Sequence, residues 1–361
     1  MKVVISLSGL HRVQRGAEVA LEAIGRDLGE RGHQITLIGS GAPRDGEPYQ
    51  YRRVPVIKRE HFERWPRFGP LRDPATYESL SFAPGLACRA PLKHCDVTLT
   101  CGFPVDNLVL RRPLIRGHRP PHVFVTENGD WPAQLDAGEA RWFSCDALVC
   151  TNPLFYERNA ERWNAFLVPN GVDIDRFSPG PRRREQLGIP AAAPVVLMVS
   201  ALADNKRVAE GIRAVARIPD VVLVVAGDGP LRGELQALGG ELLGDRYVQR
   251  SFAHAMMPDL YRSADVLLHM ARFESFGNIY IEAMATGLPI VTHGSVVTDW
   301  ILGPLGALVD TDDAAQVVEA LEAVLRVGRD AGAAQRRDAA VERFSWRAVG
   351  AQYEHILTGI R

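Results

Sequence analysis

The chain lacks any apolar run approaching the roughly 20 residues that a helix needs to cross a bilayer, so no membrane-spanning helix is expected. Cysteine is sparse. Cys88, Cys95, Cys101, Cys145 and Cys150 form an odd set with no C-x-x-C pair, which points to free thiols in a reducing cytoplasm. No cluster of His and Cys has metal-ligand spacing, so neither a metal nor a resident cofactor is expected. Charge of neither sign dominates: 42 Lys and Arg meet 43 Asp and Glu, for a net −1. That balance argues against a general polyanion binder and against a nucleic-acid partner. The halves differ slightly, +3 over residues 1–170 and −4 over the remainder. At the amino terminus, MKVVISLSG breaks into Ser and Gly too soon for a signal peptide and reads as a first strand. The expected location is cytoplasmic.

What is present is a regular alternation of short apolar runs and helical segments. A length of 361 residues and a hydrophobic content of 46% suit two domains with two cores. In the first half, Lys2–Leu7, Gln34–Ile38, Asp96–Thr100, His122–Thr126 and Ala147–Cys150 read as strands. Ala17–Leu28 reads as a helix with Val19, Ala20, Ala23, Ile24 and Leu28 on one face. Residues 41–75, rich in Pro, Gly, Arg and aromatics, read as irregular. In the second half, Val195–Val199, Val221–Ala226, Val266–Met270 and Pro289–Thr292 are strands between helices. Such alternation implies α/β architecture: two doubly wound, Rossmann-like domains with parallel sheets covered on both faces. Ligands in such sheets bind beyond the carboxyl ends of the strands, so two facing sheets would share one interdomain cleft. Residues 178–194 read as a hinge.

One stretch carries the chemistry. Glu274 and Glu282 lie eight residues apart around a short apolar helix, Gly277–Thr286, which Gly287 and Pro289 terminate. Amides at the helix start, near Phe276, Gly277 and Asn278, suit a phosphate. Carboxylates beside them accept hydrogen bonds from sugar hydroxyls. A diphosphate with a sugar at each end fits that arrangement.

The run Glu274-Ser-Phe-Gly-Asn-Ile-Tyr-Ile-Glu282-Ala-Met-Ala-Thr-Gly-Leu-Pro resembles the E-x7-E signature of family-4 retaining glycosyltransferases of GT-B fold. Similar in order are Arg15-Gly16-Ala17-Glu18, Gly32-His33, Pro169-Asn170-Gly171-Val172-Asp173, Gly227-Asp228-Gly229-Pro230 and Tyr261-Arg262-Ser263-Ala264-Asp265. The resemblance is strongest from Val168 onward and weakest over residues 41–125. It implies that Glu274 faces the donor sugar and Glu282 the nucleotide ribose. Lys206 matches the family's diphosphate-binding Lys, while its partner Arg is replaced by Ala201. Arg207 either supplies the missing charge or is a surface residue. Gly16 places an amide near the diphosphate or simply makes a tight turn. The family's His after the strand His122–Thr126 is absent, and Thr126-Glu127-Asn128-Gly129-Asp130-Trp131 stands there. Glu127 and Asp130 each either face the acceptor hydroxyl or cap the next turn. Asn170 and Asp173 are expected to shape the crossover between domains, and Arg250 to lie on the surface.

Residues 52–72 carry seven Arg and Lys against two Glu, interleaved with Phe62, Trp65 and Phe68. That composition suits an acceptor loop with packed aromatics, or peripheral contact with an anionic membrane. The resemblance implies an acceptor-binding domain over residues 1–172, a nucleotide-sugar domain over 173–343, and a terminal helix, 344–361, returning to the first. The expected activity is metal-independent, retaining, front-face transfer of a sugar from a nucleoside-diphosphate sugar, a substrate and not a cofactor. The acceptor would be a sugar, a lipid-linked group or a small molecule, placing the enzyme in carbohydrate or natural-product glycosylation. The alternatives are a nucleotide-sugar 2-epimerase of similar fold and a non-catalytic nucleotide-sugar-binding subunit.

Overall fold

The computed structural model describes residues 1–67, 71, 73–111, 119–133 and 138–360. They form two compact units: Met1–Asn170 with the segment from Trp346 onward, and Gly171–Ser345. The first holds a seven-stranded sheet built from β1 (Lys2–Ser6), β2 (Gln34–Gly39), β3 (Gln50–Arg53), β4 (Val97–Thr100), β5 (His122–Val125), β6 (Ala147–Cys150) and β7 (Ala165–Leu167). Their order is β3-β2-β1-β4-β5-β6-β7. The second holds β8 (Val195–Val199), β9 (Val222–Ala226), β10 (Tyr247–Arg250), β11 (Val266–His269), β12 (Ile290–His293) and β13 (Ala307–Val309). Here the order is β10-β9-β8-β11-β12-β13. Neighbouring strands pair in parallel, as β1 does with β2 and β4, and β8 with β9 and β11.

The central strands are mostly apolar because helices cover both of their faces. Every residue of β4, β5, β6, β9 and β11 is buried. Four strands escaped the sequence reading: β3, β7, β10 and β13. All four are sheet edges. An edge strand needs only one partner and half a covering, so β3 and β10 mix in polar residues, while β7 and β13 are apolar but only three residues long. β3 reads Gln-Tyr-Arg-Arg and is largely exposed. Residues 41–75 are therefore not wholly irregular, since they contribute that edge and a short 3₁₀ turn at Arg59–Phe62.

The segment 178–194 is not a hinge. It lies inside the second unit, tied down by Arg184, which is 8% exposed. The Arg184 guanidinium donates to the carbonyls of Ser263, Ala191 and Ala193 and to Asp265. Leu187 and Ile189 are buried beside it. The units are joined at 170–171 and 345–346 instead. The terminal helix Trp346–Gly359 belongs to the first unit, where Val349, Tyr353, Ile356 and Leu357 share a core with Ile24 and Leu28 of the helix Gly16–Glu30. Glu354 receives Arg31 at 3.2 Å and His33 at 2.8 Å.

One glycine ties fold to site. After β9, Gly227 lies so close to the loop following β8 that a Cβ there would sit 1.8 Å from the Ser200 carbonyl oxygen. The obstacle is backbone, so no side chain can turn aside to make room. Gly227→Ala should destabilise the second unit by roughly 1–3 kcal/mol. Urea denaturation followed by circular dichroism would detect that as an earlier transition, and an unshifted midpoint would contradict the close approach.

Candidate functional site

In the second sheet the chain runs β8 to β10 in one direction, then resumes at β11 on the other side of β8. Loops leaving the carboxyl ends of β8 and β11 therefore diverge and leave a crevice, the place where doubly wound sheets take ligands. Lys206 comes from the first loop and Glu274 from the second. Their side chains are joined: Lys206 Nζ donates to Glu274 Oε1, and each is less than one-fifth exposed. His269, the last residue of β11, adds a bond from Nε2 to the same oxygen at 2.9 Å. Neither bond uses Oε2. Burial would raise the Glu274 carboxyl, but the bonds from His269 and Lys206 outweigh it and hold the group below its ordinary range. Glu274 is thus a largely buried but ionised carboxylate.

Four residues beyond Glu274, the helix Asn278–Ala285 begins. Gly277 caps it with φ +85° and ψ 71° and brings no side-chain cap bond. A Cβ at Gly277 would also meet the Tyr280 ring at 2.5 Å, so glycine is required twice over. That end carries partial positive charge next to the Lys206–Glu274 pair. Phe276 turns its side chain the other way. It is 4% exposed and packs edge-on against Trp300 and Phe344, so it offers the site backbone only.

Glu282 lies further along the same helix and accepts from the Tyr261 hydroxyl at 2.7 Å. Among the described residues, no cation is bonded to it. Burial pushes its carboxyl up to about 7, with the Tyr261 bond and the more distant Arg176 charge only partly opposing. The two glutamates of the repeat thus differ in ionisation.

Lys206 and Arg207 are adjacent yet diverge. Arg207 adopts left-handed backbone, φ 54° and ψ 39°. Its guanidinium donates to the Met270 carbonyl and to Thr311, and pairs with Asp312 at 2.8 Å. The structure gives it the role of a brace between loops and does not bring it onto Glu274. Ala201, at the position of the missing arginine, is exposed. Arg250 donates to the Leu187 carbonyl.

In the first unit the corresponding switch lies between β1 and β4. Gly16 begins the helix Gly16–Glu30, which likewise has no side-chain cap. Glu127 sits in the turn after β5 and accepts from Asn170 Nδ2 at 3.1 Å. Burial raises its carboxyl to about 7, with the Asn170 bond opposing. Asp130 is 6% exposed and takes a 2.7 Å bond from Asn159, which ties its loop to the helix Pro153–Asn159. Sequence reasoning also missed Asp106. It is wholly buried after β4, with neither carboxylate oxygen hydrogen-bonded, and burial and then the Glu78 charge push it up to about 7. His269 and Tyr261 were missed as well, although Tyr261 opens a run that the family resemblance had already picked out.

In the basic stretch, Phe62 is core, stacked on Tyr77, while Trp65 is 52% exposed. Residues 68–70 and 72 of that stretch, Phe68 among them, lie outside the described residues. Among the described residues, no helix is long and apolar enough to cross a membrane. Nor, among them, do three or more His, Cys, Asp or Glu converge as a metal set. Two Asp-x-Asp runs do occur. Asp173 accepts from the Asp175 and Arg176 amides, and Asp312 of the run Asp310–Asp312 is engaged by Arg207 and Arg272.

Residues 14–176 match the family model described as Glycosyltransferase Family 4, and residues 193–326 match Glycosyl transferases group 1. Among the similar proteins is a GDP-mannose-dependent alpha-(1-6)-phosphatidylinositol monomannoside mannosyltransferase of Mycolicibacterium smegmatis. It is 32% identical over 54% of this chain and 56% of its own length. The lipopolysaccharide core biosynthesis glycosyltransferase LpsE of Rhizobium meliloti is 29% identical over 56% of this chain and 59% of its own. The chain thus spans little more than half the length of these curated relatives. The solved structure of Anabaena HepE in complex with UDP and glucose superposes with a TM-score of 0.76, covering 99% of each chain at 19% identity, which establishes the fold. The chain belongs to the family-4 glycosyltransferases, with two Rossmann-like units of the GT-B class.

The raised carboxyl of Glu282 sets a pH dependence. Its folded value, about 7, exceeds the unfolded 4.5, so its stabilising contribution is complete below the latter and is lost as pH rises through the former. Between pH 5 and 8 the unliganded chain should therefore lose about 1–3 kcal/mol relative to a Glu282→Gln variant. Urea denaturation of both proteins at several pH values would measure the difference, and parallel pH profiles would remove the assignment.

Proposed function

We propose that the protein is a retaining glycosyltransferase moving a sugar from a nucleoside-diphosphate sugar to an acceptor hydroxyl. The observation that carries this reading is the ionised Glu274, held by Lys206 and His269 beside the helix start at Gly277. In the proposed mechanism the donor diphosphate lies against that helix start, with Asn278 at its first turn. Lys206 neutralises the charge that grows on the leaving nucleoside diphosphate as the glycosidic bond breaks. Glu274 directs its unengaged oxygen to the donor sugar and orients it while positive charge develops on the ring. Glu282, with Tyr261, takes the ribose hydroxyls. A donor phosphate oxygen accepts the proton of the attacking hydroxyl on the same face, which retains the anomeric configuration. Lys206 and the helix start do the work a divalent ion does elsewhere, so no metal is required.

The second unit is the donor domain in this reading. Gly16 and Glu127 belong to the first unit, which takes the acceptor. Relatives named for lipid-bearing and lipopolysaccharide acceptors support a sugar or lipid-linked acceptor. Exposed Trp65 and Ile57, among Lys58, Arg64 and Arg67, suit contact with an anionic surface that presents such an acceptor.

Mass spectrometry of the protein incubated with a panel of nucleotide sugars and acceptors should show one donor consumed with release of its nucleoside diphosphate. An epimer formed without acceptor, or binding with no turnover across the panel, would defeat the proposal. Lys206→Ala should lower kcat by about 10²-fold or more, the scale of losing one electrostatic stabiliser. Arg207→Ala should act mainly through stability, since its guanidinium braces Thr311 and Asp312. A near-normal kcat in Lys206→Ala would refute the placement of the diphosphate.

Transfer should also proceed unchanged in excess EDTA. Loss of activity with rescue by Mg²⁺ or Mn²⁺ would overturn the metal-free mechanism.

A further inference from the structure

At the amino-terminal edge of the second sheet, opposite the Lys206–Glu274 loops, lies a cavity of about 200 Å³ lined by Arg182, Arg184, Arg329 and Asp265. Its position follows from Asp265, which precedes β11 and accepts from the Val195 amide at the start of β8. Three guanidinium groups share this cavity with one bonded carboxylate. Arg182 reaches Asp265 Oδ1 at 2.8 Å and Arg184 reaches Oδ2 at 2.6 Å. The other partners of Arg184 are the carbonyls of Ser263, Ala191 and Ala193. Arg329 donates to the carbonyls of Arg262 and Thr286. Carbonyls fix the direction of a guanidinium without cancelling its charge, so two cations are held in place with a surplus of positive charge between them. Burial, and then the nearby Arg182 charge, hold Arg329 below the usual arginine range, with Asp265 and Asp330 opposing only in part, so three guanidinium groups face two carboxylates here.

We propose that this cavity binds a phosphate-class anion, a tetrahedral oxyanion free or as a phosphomonoester, at a site separate from the donor crevice. Planar forks on rigid mounts match the oxygens of such an anion. The site is also wired to the donor side. Arg262 follows Tyr261 in the helix Met257–Ser263, and Thr286 ends the helix that carries Glu282. Filling the cavity fixes Arg329 and so braces both helices that bear the Tyr261–Glu282 pair. The inference does not depend on the donor reading, because it concerns other residues on the other edge of the sheet.

Calorimetric titration of the full chain with inorganic phosphate, at ionic strength matched with chloride, tests it. Saturable binding in roughly the millimolar range is expected, weakened about tenfold or more in Arg182→Gln and Arg329→Gln. Arg182 is 42% exposed, so its substitution leaves the fold intact. Lys206→Ala should retain the binding. A parallel titration with glycerol 3-phosphate separates the sources: equal affinity identifies a phosphomonoester end, and preference for inorganic phosphate identifies the free anion. Absence of saturable binding would overturn the proposal. So would binding that survives both arginine variants, or binding that Lys206→Ala alone abolishes, which would locate the anion in the donor crevice.

Discussion

The bond between Lys206 and Glu274 is the constraint on which the rest of the second unit depends. Burial by itself drives a carboxyl toward the neutral acid, and a neutral Glu274 would be a donor as well as an acceptor. Lys206 and His269 reverse that tendency. For them to meet Glu274, the loops after β8 and β11 must lie side by side, and the pairing of Val266 with Val196 and Leu267 with Leu197 puts them there. The loop after β8 must also keep its course, which the bare backbone of Gly227 against Ser200 allows. The helix start next to Glu274 needs a left-handed residue that clears Tyr280, which only Gly277 supplies. His269 is fixed edge-on against the same Tyr280 ring at 5.6 Å.

A bonded cation or charged donor separates Glu274 and Glu78 from Asp106, Glu127 and Glu282. Glu78, wholly buried, is also held below its ordinary range. Burial opposes that, but Arg12 bonds to it and the Arg59 amide and charge add to the effect. Asp106, Glu127 and Glu282 have at most a neutral donor, and each rises to about 7. Uncompensated buried acids cost stability near neutral pH, so their presence asks for a reason beyond folding. All three come after the carboxyl ends of strands, β4, β5 and β11. That is the edge where a doubly wound sheet takes its ligand. On the proposed function, a hydroxyl-rich ligand would supply the donors that these carboxyls lack.

Legibility in the sequence tracked burial. Strands covered on both faces announce themselves as apolar runs, and each was read within a residue or two of its observed ends. Edge strands such as β3 and β10 mix polar and apolar residues, and no periodicity separates them from loops. The helix carrying Glu282 was legible because Gly277, Gly287 and Pro289 punctuate it. His269 was not, since a histidine ending an apolar strand looks the same whether it fills a core or holds a carboxylate. Glu127 and Asp130, three residues apart, could not be told apart either. Each is claimed by an amide far along the chain, Asp130 by Asn159 and Glu127 by Asn170.

The divergence of Lys206 and Arg207 shows why local sequence underdetermines charge at a site. A left-handed residue between the 3₁₀ turn Asp204–Lys206 and the helix Val208–Ala216 swings consecutive side chains apart. Arg207 is spent on Met270, Thr311 and Asp312, and so joins the loops after β8, β11 and β13. It is therefore not available to replace the arginine absent at Ala201. On the proposed mechanism, the leaving diphosphate faces one full positive charge and a helix start worth about half of another. Such a site gains most by excluding water, because a single cation stabilises a developing charge far better at low dielectric than in solvent. The partial burial of Lys206 and Glu274 before any ligand arrives is consistent with that demand.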